Sequence, residues 1–146
     1  MPRIERTAEA VWEGNLARGS GTLTGRSSAA FSLPYRVATR VGKPEGETSP
    51  EELIAAAHAG CFAMALANEL LKAETPPERL EVSATCVMDE VGSHHRVIAS
   101  QLEIMGTVPG ADDDGFRAAV RAADEGCPIS ALIRASAEVR ISASLH

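Results

Sequence analysis

The stretch Thr48-Ser49-Pro50-Glu51-Glu52-Leu53-Ile54-Ala55-Ala56-Ala57-His58-Ala59-Gly60-Cys61-Phe62-Ala63-Met64-Ala65-Leu66 decides the fold. Ser49 is placed to cap a helix, Pro50 suits the first helical position because its missing N–H would have no partner there, and Glu52 completes a capping box. The helix is predicted to start at Pro50 and to run through strong helix formers to about Ala73. Thr75-Pro76-Pro77 stops it, since proline neither donates a backbone hydrogen bond nor fits the preceding turn. Between Leu53 and Ala67 nearly every residue is Ala, Gly, Leu, Met, Phe or Cys. Without a polar stripe, the helix is expected to be buried on most sides. The apolar run is interrupted by His58 and falls short of the roughly 20 residues a bilayer crossing needs, so no membrane partner is expected.

On the N-terminal side, Ile4 to about Thr39 favours extended structure, with turn signals at Glu13-Gly14, Gly19 to Gly21 and Gly25, and reads as a meander of strands. Val41 to Ser49, rich in Gly, Lys and Glu, reads as an exposed loop within a domain. On the C-terminal side, Leu80, Val82, Ala84, Cys86 and Met88 alternate with Glu81, Ser83, Thr85 and Asp89, the period of a half-buried strand. A second strand is predicted from about Arg96 to Met105, after a turn around Gly92. The acidic run Asp112 to Asp114 supplies caps for a helix whose apolar positions are Phe116, Ala119, Val120 and Ala123, and Gly126 ends it. Pro128 opens a short helical turn just after Cys127, and Ala137 to Ser144 alternates like a final strand. Strands, long helix, two strands, helix and strand make an α+β domain.

The chain has 146 residues and is 45% hydrophobic, enough for one ordinary core, so residues 1–146 are read as a single domain. Aromatics are 3% of the chain and alanine supplies much of the apolar fraction; close helix packing follows, and self-association would cover what a thin core leaves exposed. A net charge of −6 argues against nucleic acid as a partner, because phosphate-backbone binding needs clustered Lys and Arg. Met1 to Val11 does not resemble a signal peptide, and a cytoplasmic protein is expected. Three cysteines in a reducing compartment do not make a disulfide framework, which turns attention to redox chemistry or metal binding.

Cys86 occupies the apolar phase of its strand and reads as a small core hydrophobe. Cys61 lies midway along an apolar helix, where burial raises a thiol's pKa and makes it inert unless a cation is delivered to it. Cys127 stands where the amides of a new helical turn point, a setting that favours a thiolate, although a cysteine before proline is equally compatible with plain loop chemistry. His58 and Cys61 share a helix face, a weak metal-ligand geometry to which His94 and His95 would have to contribute. The plainer reading of His58 is a helix-packing residue with one nitrogen satisfied. No metal or organic cofactor is expected.

The Thr48–Leu66 segment closely resembles the OsmC (osmotically inducible protein C) and Ohr (organic hydroperoxide resistance) family. A second family motif stands at Gly126-Cys127-Pro128-Ile129-Ser130, and the two cysteines lie 66 residues apart, as the family's do. Val11-Trp12-Glu13-Gly14 and Pro34-Tyr35-Arg36-Val37-Ala38-Thr39-Arg40 look like the OsmC branch, so the likeness covers nearly the whole chain. It implies an OsmC/Ohr-like fold in an intertwined homodimer, and reduction of organic hydroperoxides by a peroxidatic Cys61 and a resolving Cys127. It also implies a catalytic arginine and glutamate. By motif the glutamate is Glu51; the arginine is Arg40 in the OsmC branch, with Arg18 in reserve. Ten residues of straight helix put Glu51 about 15 Å along the axis from Cys61. Either the helix is broken or another subunit completes the site.

The resemblance thus implies a thiol peroxidase that passes through a Cys61 sulfenic acid and a Cys61–Cys127 disulfide, recycled by a lipoyl- or thioredoxin-type dithiol. Two alternatives come from other classes. A metal-binding, hydrolase-like protein using His58 and Cys61 would carry stoichiometric zinc, and a non-catalytic stress-associated binding protein would be oxidised without turning over.

Overall fold

A computed structural model describes residues 3, 5–13, 17–27 and 31–146. The Ile4 start of the expected meander and the Gly14 half of its first turn lie outside these residues. Two compact units are present, residues 1–50 and 51–146.

The first unit contains β1 (Ala8–Glu13), β2 (Ser20–Gly25) and β3 (Ser32–Tyr35), an antiparallel sheet in sequence order. Gly21 of β2 pairs with Trp12 on one side and Tyr35 on the other. Its missing side chain lets the two rings approach to 5.5 Å between centroids; a Cβ on Gly21 would come within 2.8 Å of the Trp12 ring.

The meander does not run extended to Thr39 as the sequence predicts, because Val37–Val41 form a short helix, α1. Its β-branched residues, Val37, Thr39 and Val41, imitate a strand in composition. The buried Thr39 hydroxyl reverses that preference: its one proton is shared between the Arg36 carbonyl (3.2 Å) and Glu47 Oε2 (3.0 Å). Glu47 in turn accepts from Arg36 Nε at 3.0 Å, so the loop after α1 is tied back to its start.

The second unit is built on α2 (Pro50–Lys72), β4 (Arg79–Val91), β5 (His94–Thr107), α3 (Asp113–Gly126), α4 (Pro128–Arg134) and β6 (Glu138–Leu145). β4 and β5 form a long antiparallel hairpin around Gly92, whose φ of +65° suits a residue without a Cβ. β6 joins β5 in parallel, which α3 and α4 permit by carrying the chain back across the sheet. The Asp112 carboxylate caps α3 by accepting from the Gly115 amide at 2.7 Å. The helix then buries Phe116, Ala119, Val120 and Ala123, the stripe its sequence period predicts. Those side chains share one core with Phe62, Leu66 and Leu70 of α2, Leu102 and Ile104 of β5, and Cys127.

α2 starts and ends where its sequence signals place it, and it is continuous, which removes the broken-helix alternative. Its burial is narrower than its composition predicts. His58, Phe62, Leu66 and Leu70, spaced four apart, are buried. Ile54, Met64 and Leu71 are exposed, Met64 at 76%. A three-stranded sheet covers one side of a helix, and nothing else in this unit is wide enough to cover the other. By length and composition α2 could cross a membrane, but its buried stripe is packed into the core of a sheet-and-helix layer.

Gly106 of β5 marks the tightest part of that core, where a Cβ would lie 2.8 and 2.9 Å from the ring of Phe116, itself 1% exposed. Because the ring has no room to retreat, Gly106→Ala is expected to lower stability by about 1–3 kcal/mol. Urea unfolding measures this; an unchanged midpoint would contradict the packing.

Candidate functional site

Cys61 stands on the half-buried flank of α2, next to the buried Phe62. Cys127 lies in the one-residue link between α3 and α4, fully buried. Pro128, whose φ is preset for helix, occupies the first position of α4, and Cys127 becomes the cap that precedes it. Its sulfur takes the place of the usual capping oxygen, accepting from the Ser130 amide at 3.4 Å.

The two thiols lie close enough to influence each other's ionisation, and the nearby Ile129 amide favours the Cys61 thiolate. Consecutive amides of α4's first turn therefore face the two sulfurs, Ser130 bonding Cys127 and Ile129 favouring the Cys61 thiolate. Burial pushes the Cys61 thiol above its ordinary value, and the neighbouring Cys127 pushes the same way, while the Ile129 amide opposes them. Both cysteines are free thiols. A pair this close at the start of a helix can be joined by a disulfide with little movement of the chain, provided the α-carbons lie within about 7 Å.

His58, one turn before Cys61, is fully buried, and both of its ring nitrogens are engaged. Nδ1 lies 2.7 Å from Ser100 Oγ on β5, and Nε2 lies 2.8 Å from Ser130 Oγ on α4. The sequence leads one to expect a single satisfied nitrogen; the second partner comes from a helix 72 residues away. With both nitrogens taken, His58 has no lone pair to share with Cys61 around a metal ion. Ser100 faces this ring beside a bulge in β5. The pairing with β4 shifts between Val87 and Met88, so that Val87 pairs with Ala99 while Met88 pairs with Val97. Ile98 is the extra residue, and beyond it the regular alternation of β5 puts Ser100 in phase with the buried Leu102 and Ile104.

The remaining expected site residues fall elsewhere. Glu51 stands at the N-terminal end of the unbroken α2, about 15 Å along its axis from Cys61. Its charge is felt instead at Cys86 on β4, whose thiol is raised first by burial and then by the nearby carboxylate. Arg40 belongs to the first unit, on the exposed side of α1. There it lines a cavity of about 260 Å³ with Trp12, Tyr35, Arg36 and Val37. Arg18 precedes β2 in the same unit. Ser100 and Ser130 were not singled out by sequence reasoning; Ser130 lay inside the second cysteine motif, but Ser100 carries no local signal.

An α+β chain with two free thiols close together at a helix start has the makings of a dithiol redox site. The comparisons agree on where it belongs. The sequence pattern of OsmC-like proteins matches residues 42–142, and the chain belongs to that family. Peroxiredoxin OsmC of Escherichia coli (strain K12) is 36% identical over 132 residues, covering 90% of this chain and 92% of its own length. Peroxiredoxin OsmC of Shigella flexneri matches to the same degree. Among solved structures, the organic hydroperoxide resistance protein OsmC from Legionella pneumophila shares the fold with a TM-score of 0.76 and 22% identity, over 97% of this chain and 99% of that one. OhrB of Bacillus subtilis does so with a TM-score of 0.70 and 21% identity, over 94% and 98%.

The buried His58 ring is held below its ordinary value of 6.5, chiefly by burial; Asp124 works against this and Arg134 reinforces it. The sign follows from proton uptake. Below the ordinary value the unfolded chain takes up a proton that folded His58 refuses, so its contribution to stability is present above that pH and is lost as pH falls. Between about pH 7.5 and pH 5.5 the parent protein should lose urea stability more steeply than His58→Gln. Parallel slopes would show that the ring protonates normally in the fold.

Proposed function

We propose that the chain is a cysteine-based peroxidase that reduces organic hydroperoxides, with Cys61 as the peroxidatic and Cys127 as the resolving thiol. The observation that carries this reading is the proximity of the two thiols, close enough for each to affect the other's ionisation, in a family whose curated relative is a peroxiredoxin. The Cys61 thiolate attacks the distal oxygen of ROOH, the O–O bond breaks, and the departing alkoxide takes a proton to leave as ROH. Cys61 is left as the sulfenic acid. The Cys127 sulfur then attacks the Cys61 sulfur and displaces the hydroxyl as water, which carries away the thiol proton. An external dithiol of lipoyl or thioredoxin type reduces the disulfide and is itself oxidised.

Cys61 needs more help than one amide, because burial favours its neutral form. A guanidinium beside the sulfur supplies that help by stabilising the negative charge. Arg40 is the candidate from the sequence motif, Arg18 is the reserve, and Glu51 is the carboxylate that orients the arginine. Since α2 is straight, Glu51 is proposed to act on the site of a second subunit. An intertwined homodimer of single-domain chains, residues 1–146, is the matching assembly. The exposed Met64 and Leu71, seven residues apart and so on one side of α2, are apolar surface that such a dimer could cover. The protein is placed in the cytoplasm, where dithiol reductants are kept reduced, and its net charge of −6 speaks against nucleic acid as a partner.

Cys61→Ser is expected to abolish dithiol-dependent consumption of an organic hydroperoxide. Cys127→Ser should complete one turnover and then stall with oxidised Cys61, as intact-mass spectrometry would record. Full turnover by Cys61→Ser would remove the assignment. Analytical ultracentrifugation is expected to give a mass close to twice 15.3 kDa, and a monomer at every concentration would refute the shared site.

A further inference from the structure

We propose that His58 is a positioning residue for the disulfide-forming step, holding the first turn of α4 so that Cys127 meets Cys61 before a second peroxide does. The inference rests on the roles given above to the two cysteines and adds what places them.

Three elements converge on this ring. α2 carries both His58 and Cys61, β5 supplies Ser100 to Nδ1 at 2.7 Å, and α4 supplies Ser130 to Nε2 at 2.8 Å. Ser130 is also the residue whose amide bonds the Cys127 sulfur at 3.4 Å, and the amide of its neighbour Ile129 lies near enough to Cys61 to favour its thiolate. One residue of α4 is therefore held by its side chain to α2 and by its backbone to the resolving thiol. His58, Ser100, Ser130 and Cys127 are each 0% exposed. Water cannot replace a lost partner there without opening the site.

The chemistry explains why such a tie matters. Once Cys61 is a sulfenic acid, two reactions compete for it. Attack by the Cys127 sulfur forms the S–S bond, breaks the S–O bond and releases water. A second ROOH instead transfers an oxygen atom to the sulfenic sulfur, giving the sulfinic acid and ROH, a product that thiols do not reverse. The first reaction depends on how often Cys127 stands within reach, the second on peroxide concentration. A clamp on α4 favours the first without touching the peroxide.

Substitutions at both ends of the ring separate positioning from general support. A Gln side chain carries its amide about as far as Nε2 and keeps a link to Ser130, whereas Asn reaches about as far as Nδ1 and keeps a link to Ser100 alone. The experiment oxidises each reduced protein with one equivalent of cumene hydroperoxide and follows the disulfide by acid quench and mass spectrometry. It also records the ratio of sulfinic acid to disulfide as peroxide is raised, with thermal unfolding measured in parallel.

His58→Asn and Ser130→Ala are expected to form the disulfide about 10- to 100-fold more slowly than the parent, the scale of a misplaced reacting group, and to accumulate sulfinic acid at lower peroxide. Ser100→Ala, at a similar loss of thermal stability, should be slowed less, and His58→Gln should recover most of the rate. Disulfide formation at the parental rate in all four variants, or slowing that merely follows the loss of thermal stability, would overturn the role of His58. If the parent itself forms no Cys61–Cys127 disulfide, the peroxidase reading falls and this proposal falls with it.

Discussion

The approach of the Cys127 sulfur to the Cys61 sulfur is the constraint on which the site depends, and a single helical turn enforces it. Pro128 starts α4 immediately after Cys127, which makes the cysteine the cap and turns its sulfur toward the helix's own amides. The Ser130 amide then bonds the Cys127 sulfur, and the neighbouring Ile129 amide favours the Cys61 thiolate. The turn is held from outside by the buried ring of His58, and α2 is held by Phe62, Leu66 and Leu70 in the core. A shift of α4 by about an ångström would weaken these hydrogen bonds together, since such bonds decline steeply beyond their normal lengths.

The same arrangement explains why the site needs a charge that this turn does not provide. Cys61 sits on the boundary of the buried stripe of α2, open enough for a substrate to reach but apolar enough to favour the neutral thiol. One amide offsets part of that preference. A neighbouring guanidinium would be worth more, because an opposite charge within about 4–6 Å commonly moves a pKa by one to three units. Glu51 stands at the other end of the continuous α2, which is why the proposed site draws on a second copy of the chain.

Much of this architecture is legible in the sequence because it is local. Ser49-Pro50-Glu51-Glu52 marks the start of α2, the alternation from Leu80 to Met88 marks β4, Asp112 marks α3, and Cys127-Pro128 marks α4. The features that escape are those decided by distant partners. α1 hides behind β-branched residues and is settled by the Thr39 contact with Glu47. The burial of α2 is narrower than its composition suggests, because an alanine-rich helix carries no polar face to show which side meets solvent. The partners of His58 lie 42 and 72 residues away, on a strand and a helix that no local signal ties to this ring. Spacing alone did not bring the two cysteines together either; family resemblance suggested it, and the link between α3 and α4 provides the means.

The most direct test maps the disulfide itself. The reduced protein is treated with one equivalent of an organic hydroperoxide, free thiols are alkylated, and the peptides are separated without reduction and sequenced by mass spectrometry. The account predicts one cross-linked pair joining the peptides of Cys61 and Cys127, with Cys86 recovered as the alkylated thiol. Recovery of Cys61 and Cys127 unlinked, or a bridge that uses Cys86 in place of either, would contradict it.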